Sequence, residues 1–127
     1  MSIAVWISVG AGGAIGAMAR LGLTKAMLAL LGSNFPWGTL TVNITGSILM
    51  GVAISWLSQK DMSNTPLAMF LTVGVLGAFT TFSTFAADAI FLYKERSMTI
   101  AFAYMSASVM LSLGGLMVGF LMARSWS

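Results

Sequence analysis

The sequence contains no cysteine and no histidine. Their absence excludes disulfide scaffolds, thiolate and imidazole metal sites, Cys- or Ser–His nucleophilic dyads, and histidine proton shuttles. Charge is almost as scarce. Six Lys or Arg and three Asp or Glu make up only 7% of the 127 residues, while 58% are hydrophobic. Soluble domains carry roughly 25% charged residues, so this chain cannot cover itself with a wetted surface. It reads as an integral membrane protein whose principal surroundings are the lipid bilayer. The net charge of +3 is too small and too scattered to call for a nucleic-acid partner. Nor is an enzyme expected, because so few titratable groups offer no constellation of general base and nucleophile.

A helix needs about 20 mainly apolar residues to cross a hydrocarbon core of roughly 30 Å. Four stretches qualify, residues 3–31, 37–58, 66–93 and 98–123. Between them lie Gly32-Ser33-Asn34-Phe35-Pro36, the polar run from Gln59-Lys60-Asp61, and Lys94-Glu95-Arg96-Ser97. Pro66 suits the first turn of the third stretch. The connections are short, which predicts antiparallel neighbours and a single all-α membrane domain of four transmembrane helices. Trp6, Trp37, Trp56, Tyr93 and Trp126 all fall at or near these boundaries, where amphipathic rings favour the headgroup level. Ala17-Met18-Ala19 resembles a small-residue cleavage site, but the first stretch has a Gly-rich middle and no basic segment before it. It is therefore read as a retained span.

Alternating helices place the N-terminus, the loop after residue 58 and the C-terminus on one side, with Lys60 and Arg124. Lys25, Lys94 and Arg96 fall on the other, with Arg20 deeper. Orientation normally follows a clear Lys/Arg excess on the cytoplasmic side. So slight a bias fits either one weakly preferred orientation or insertion both ways up, the working unit then being an antiparallel dimer. The small-residue spacings Gly12-x-x-x-Gly16, Ser47-x-x-x-Gly51 and Gly115-x-x-x-Gly119 mark close helix approach, within the chain or at a dimer seam.

Polar groups inside a bilayer are costly and therefore informative. Tyr104, Ser108 and Ser112 recur every fourth residue and share one helix face at steps of about 6 Å; Thr39, Asn43 and Ser47 do the same. A lone Ser or Thr can bond the carbonyl one turn back, but an asparagine amide needs partners beyond its own helix. Both ladders offer donors without fixed charge, a chemistry suited to an anion. Asp88, near the end of its span, is expected to act as an interfacial cap or to pair with Lys94 or Arg20. In the third stretch, Gly74-Val75-Leu76-Gly77-Ala78-Phe79-Thr80-Thr81-Phe82-Ser83-Thr84-Phe85 sets glycine and indifferent helix formers at mid-membrane. The helix is expected to break near Gly77–Thr80, freeing carbonyls that could hold a cation. Phe82 and Phe85 share a face, either as plain packing or with electropositive ring edges turned toward an anion. Arg20 lies roughly 26 Å along its helix from Ile3, placed to snorkel or to act as a vestibule cation that concentrates anions. The methionines are read as lipid-facing or packing filler.

Three motifs carry a resemblance that extends over essentially the whole chain. They are Gly12-Gly13-x-x-Gly16-Ala17-x-x-Arg20, Gly38-Thr39-Leu40-x-x-Asn43-x-x-Gly46, and Gly77-x-x-Thr80-Thr81-Phe82-Ser83-Thr84-Phe85. With them the sequence resembles the Fluc (CrcB-type) fluoride channels. The resemblance implies a dual-topology homodimer in the bacterial inner membrane, with two antiparallel pores that passively lower cytoplasmic fluoride. It implies a fluoride path lined by Asn43, Phe82 and Phe85. Tyr104, Ser108 and Ser112 would form its polar track, and Thr39, Ser83 and Thr84 would lie beside it. It further implies a structural sodium ion held by the backbone carbonyls of Gly77 and Thr80. Asp88 stands where that family often has Glu.

Two rival readings use the same residues differently. A small dual-topology proton-coupled exporter of cationic compounds would need a membrane-embedded carboxylate; the first span has none and Asp88 is poorly placed. In a membrane assembly subunit without transport activity, the donor ladders would serve as interhelical glue.

Overall fold

The structure is a computed structural model that describes residues 1–126. Helix α1 spans Ile3–Leu31 and ends at Gly32, whose left-handed φ of 82° lets its N–H return to the Leu28 carbonyl at 2.9 Å. Helix α2 spans Trp37–Gln59. In the turn that follows, Asp61 takes a left-handed φ of 55°, a conformation that Asp tolerates better than most residues. The third crossing begins where Thr65 caps the Ala68 N–H and Pro66 occupies the first turn. It runs through α3 (Pro66–Met69), a π-helical segment Phe70–Leu76, α4 (Gly77–Phe79) and α5 (Phe82–Glu95). Helix α6 spans Met98–Arg124, its first turn capped by the Ser97 side chain on the Ile100 N–H. Together these make 4 helical crossings long and apolar enough for a bilayer, the third reaching two residues beyond its expected end.

The third crossing is interrupted, but not where glycine alone would put the break. Gly77 remains helical. Thr80 (φ −86°, ψ 163°) and Thr81 (φ −153°, ψ 123°) are extended instead. β-Branched residues accept extended backbone readily, and here the Thr81 hydroxyl also caps the Thr84 N–H that opens α5. The π-helical turns before the break were not expected from the sequence. They lie where Gly12 and Gly16 of α1 press directly on the backbone of Phe70, Gly74 and Val75.

Each small-residue spacing proves to be a seam within the chain. A methyl group added at Gly51 would strike the Leu116 carbonyl, and one at Gly119 would strike the Ile48 carbonyl. Backbones of α2 and α6 thus touch, the approach through which small residues hold membrane helices together. The Gln59 amide extends this seam by donating to the Ala123 carbonyl at 2.9 Å. On the opposite side of the membrane, Arg96 donates to the Asn34 carbonyl at 2.8 Å and ties the two loops there. Ile3, Trp6, Leu30, Phe102, Met110 and Leu113 are exposed around the outside. Such a girdle would drive association in water and suits hydrocarbon.

Candidate functional site

The break in the third crossing is the structural centre of the site. A continuous helix would close the Thr81 N–H on the Gly77 carbonyl and the Thr84 N–H on the Thr80 carbonyl. Here the Thr81 N–H donates to Asn43 Oδ1 at 2.8 Å, and the Thr84 N–H donates to Thr81 Oγ1 at 3.2 Å. Gly77 and Thr80 therefore present carbonyls separated from their helical donors. Asn43 completes the exchange by donating from Nδ2 to the Thr81 carbonyl at 2.9 Å. One side-chain amide thus pairs both backbone groups of an extended residue, as a neighbouring strand would. Arg20 turns inward to the same place, its Nε donating to the Ala78 carbonyl at 2.9 Å. The Thr80 hydroxyl donates back to the Leu76 carbonyl at 3.0 Å.

Beside the break lies a cavity of about 280 Å³. Asn43, Ser47, Thr80, Thr81, Ser108 and Ser112 supply its polar wall; Phe82 and Phe85 supply an aromatic one. No charged side chain is among its lining residues. Asn43, Thr80 and Thr81 have their partners at the break, whereas one buried hydroxyl of the wall has none. Ser108 is 5% exposed and its Oγ has no hydrogen-bond partner. A buried hydroxyl without a partner is costly and marks a place where a ligand or water completes the bonding.

A second cavity, of about 490 Å³, opens toward the loops and is lined by Thr39, Thr84, Asp88, Phe35, Trp37 and Arg96 among others. Tyr104 sits one helical turn from Ser108 and is fully buried. Its hydroxyl donates to Asp88 Oδ2 at 3.3 Å. The carboxylate's partner is thus the tyrosine rather than the expected Arg20 or Lys94; Arg20 is engaged instead by the Ala78 carbonyl. Phe82, Phe85, Tyr104, Phe35 and Trp37 make a chain of ring contacts, with successive centroids 5.5, 5.4, 5.4 and 4.7 Å apart. This aromatic line runs from the break to the loop before α2.

The structure therefore gathers Asn43, Phe82, Phe85, Ser108, Ser112 and Thr80 around one cavity, and Thr39 and Thr84 around the other. Ser83 is exposed on α5 and is not among the residues lining either one. Gly77 is exposed at the break. Ser47 and Thr81 were visible in the ladder and the threonine cluster but were not singled out as site residues. Phe35 gave no signal beyond a break in hydrophobicity.

The arrangement joins three elements: a broken crossing with free carbonyls, a donor-lined uncharged cavity beside it, and a pair of phenylalanines at its wall. Residues 7–120 match the family described as CrcB-like protein, Camphor Resistance (CrcB). The chain belongs to the CrcB family. A CrcB relative from Aeromonas salmonicida is 41% identical over 120 residues, covering 94% of this chain and 96% of its own length. One from Cereibacter sphaeroides is 45% identical over 120 residues, covering 94% of each. A third, from Caulobacter vibrioides, is 41% identical over 117 residues, covering 91% of this chain and 92% of its own. Each of these CrcB proteins is named "Fluoride-specific ion channel FluC".

Proposed function

We propose that this CrcB chain is a fluoride-selective channel of the bacterial inner membrane, passing fluoride passively down its gradient and so lowering its cytoplasmic concentration. The observation that carries the reading is the unpartnered Ser108 hydroxyl, buried in the wall of an uncharged cavity rich in donors. A small bare anion needs hydrogen-bond donors to replace its water, and a fixed positive charge beside it would trap rather than pass it. Ser108 and Ser112 offer hydroxyls, Asn43 retains one amide N–H beyond its bond to Thr81, and ring edges at Phe82 and Phe85 are electropositive. Tyr104 and Thr39 continue the polar track toward the loops, and Arg20, bonded to the Ala78 carbonyl, supplies a fixed positive charge at the break without lining the cavity. The names of the relatives supply the choice of fluoride over chloride.

The working unit in this reading is an antiparallel, dual-topology homodimer with two pores. Phe82 is 79% exposed, and Ser83 and Thr84 beside it are exposed too, although they sit in the middle of the crossing. Hydrocarbon leaves such hydroxyls unsatisfied, whereas a second copy would cover them and complete the cavity wall. The internal use of all three small-residue seams leaves this face free for that purpose.

A structural sodium ion at the centre of the dimer belongs to the same reading. Among the described residues no group of three or more His, Cys, Asp or Glu is placed to hold a metal ion. The carbonyls of Gly77 and Thr80, separated from their helical donors, fit a hard cation that takes oxygen ligands. They would hold it without a side chain, and the ion would stiffen the break rather than move through the pore.

Ion efflux from liposomes holding the purified protein tests this function, read with a fluoride electrode and repeated with chloride. Fluoride should leave rapidly and chloride slowly, with Ser108→Ala and Phe85→Ile each slowing fluoride at least tenfold. Well-folded protein that releases no fluoride would refute the assignment. Export that required a proton gradient and a cationic solute would favour the exporter instead.

A further inference from the structure

Asn43 lines the anion cavity, and both of its hydrogen bonds go to the backbone of Thr81 in the same wall. Nδ2 donates to the Thr81 carbonyl and Oδ1 accepts the Thr81 N–H, at 2.9 and 2.8 Å. The accepted N–H is the one that would close on the Gly77 carbonyl if the helix continued. We infer that Asn43 is a positioning residue for the cation site, holding the third crossing open so that the Gly77 carbonyl stays free for an ion. This rests on the sodium reading above and goes beyond it by assigning the geometry of that site to a side chain on α2 that is not itself one of its ligands.

The energetic logic is one of competing donors. Without Asn43, the Thr81 N–H and C=O would lose the side chain that pairs them, and at membrane depth each missing hydrogen bond is costly. The cheapest repair is for Thr81 to turn helical and return its N–H to Gly77. That repair ties up the Gly77 carbonyl and withdraws one oxygen from the cation. The surroundings favour the open form only in part. Thr81 caps α5 with its hydroxyl, and Arg20 holds the Ala78 carbonyl, but neither engages the Thr81 backbone. Asn43 does so with both ends of its amide. Gly46, one turn along α2, has no room for a side chain against Thr80 and Phe79, so α2 is seated close enough for a short Asn to reach.

The two ends of the amide can be separated by substitution. Asn43→Asp keeps an acceptor for the Thr81 N–H and so keeps the Gly77 carbonyl free, while losing the donor to the Thr81 carbonyl. Asn43→Ala loses both. The readout is the thermal midpoint of the detergent-purified full chain, titrated with sodium chloride against choline chloride at constant ionic strength. The wild type should be stabilised by sodium at a defined half-maximal concentration. In Asn43→Ala that concentration should rise at least tenfold, whereas Asn43→Asp should stay within threefold of the wild type or respond at lower sodium. Thr45→Ala, whose hydroxyl bonds only its own helix at Thr41, is the control and should titrate as the wild type does. If Asn43→Ala responds to sodium as the wild type does, Asn43 is a pore wall only and the inference fails. It fails equally if Asn43→Asp loses the response, a result that does not depend on the alanine variant folding. A wild type that is indifferent to sodium overturns the cation reading itself, a different failure from either variant result.

Discussion

The hydroxyl of Tyr104 on α6 donates to Asp88 Oδ2 on α5 at 3.3 Å, although the two residues approach from different crossings. The tyrosine ring is meanwhile held between Phe85 and Phe35, with centroids 5.4 Å away on both sides. Tyr104→Phe keeps this stack and removes only the hydrogen bond. Thermal stability should fall by about 1 kcal/mol, while fluoride efflux should slow at least fivefold because Asp88 loses the hydroxyl that engages it and is left as a bare carboxylate on the wall of the second cavity. A variant that transports at the wild-type rate would remove Tyr104 from the path and leave it a purely structural residue.

The α2–α6 seam separates glycines that must be glycine from those that need not be. Gly51 and Gly119 each face a carbonyl of the partner helix, whereas a Cβ at Gly114 would meet nothing within 4 Å. Gly119→Ala should therefore lower stability by about 1–3 kcal/mol, and Gly114→Ala should be neutral within about 0.5 kcal/mol. Thermal unfolding in one detergent compares them directly. Equal midpoints would mean that the helices can separate without penalty.

Arg20 reaches the Ala78 carbonyl with Nε at 2.9 Å, at the end of α4 where helical donors run out. Arg20→Leu should cost about 2 kcal/mol, as expected for a charged donor removed from a partly buried acceptor. Arg20→Lys should recover only part of it, because an ammonium lacks the fixed fork of a guanidinium. Full recovery by lysine would show that charge alone matters at this position.

Insertion in both orientations can be tested by unbalancing the loops. Ser63→Lys with Asn64→Lys adds positive charge on the Lys60 side, and Ser33→Lys with Asn34→Lys adds it on the other. All four positions are exposed. Each double variant should insert predominantly one way and, expressed alone, should lose most fluoride efflux. Expressed together they should restore it. Full activity from a single biased variant would exclude an antiparallel working unit.

The crossings were legible in the sequence because lipid demands long apolar runs and because helix ends carry local chemistry. Gly32, Thr65, Pro66 and Ser97 each terminate or cap a helix where their types suggest. The interior of the third crossing was only half legible. Glycine and clustered threonines announce a weak helix, but whether Gly77 or Thr81 yields depends on Asn43, 38 residues distant, which no local window contains. The same applies to Arg20, 58 residues from Ala78, and explains why its inward turn was not foreseen. The π-helical turns follow from the fit of Gly12 and Gly16 against Phe70–Val75, a tertiary constraint again. Residues spaced along one helix face, such as Ser108 and Ser112, could be read because periodicity alone puts them together.

The glycine seams have a consequence for biogenesis. The close backbone approaches of Gly12 and Gly16 to the third crossing, and of Gly51 and Gly119 between α2 and α6, are contacts within one chain. Turning the whole subunit over in the membrane leaves each of those contacts unchanged. Its internal energy is therefore blind to up and down, and the decision rests with the few lysines and arginines that the insertion machinery meets. A handful of surface substitutions would then turn such a chain from one orientation to the other without touching a packed residue, so the fold by itself sets no constraint on topology.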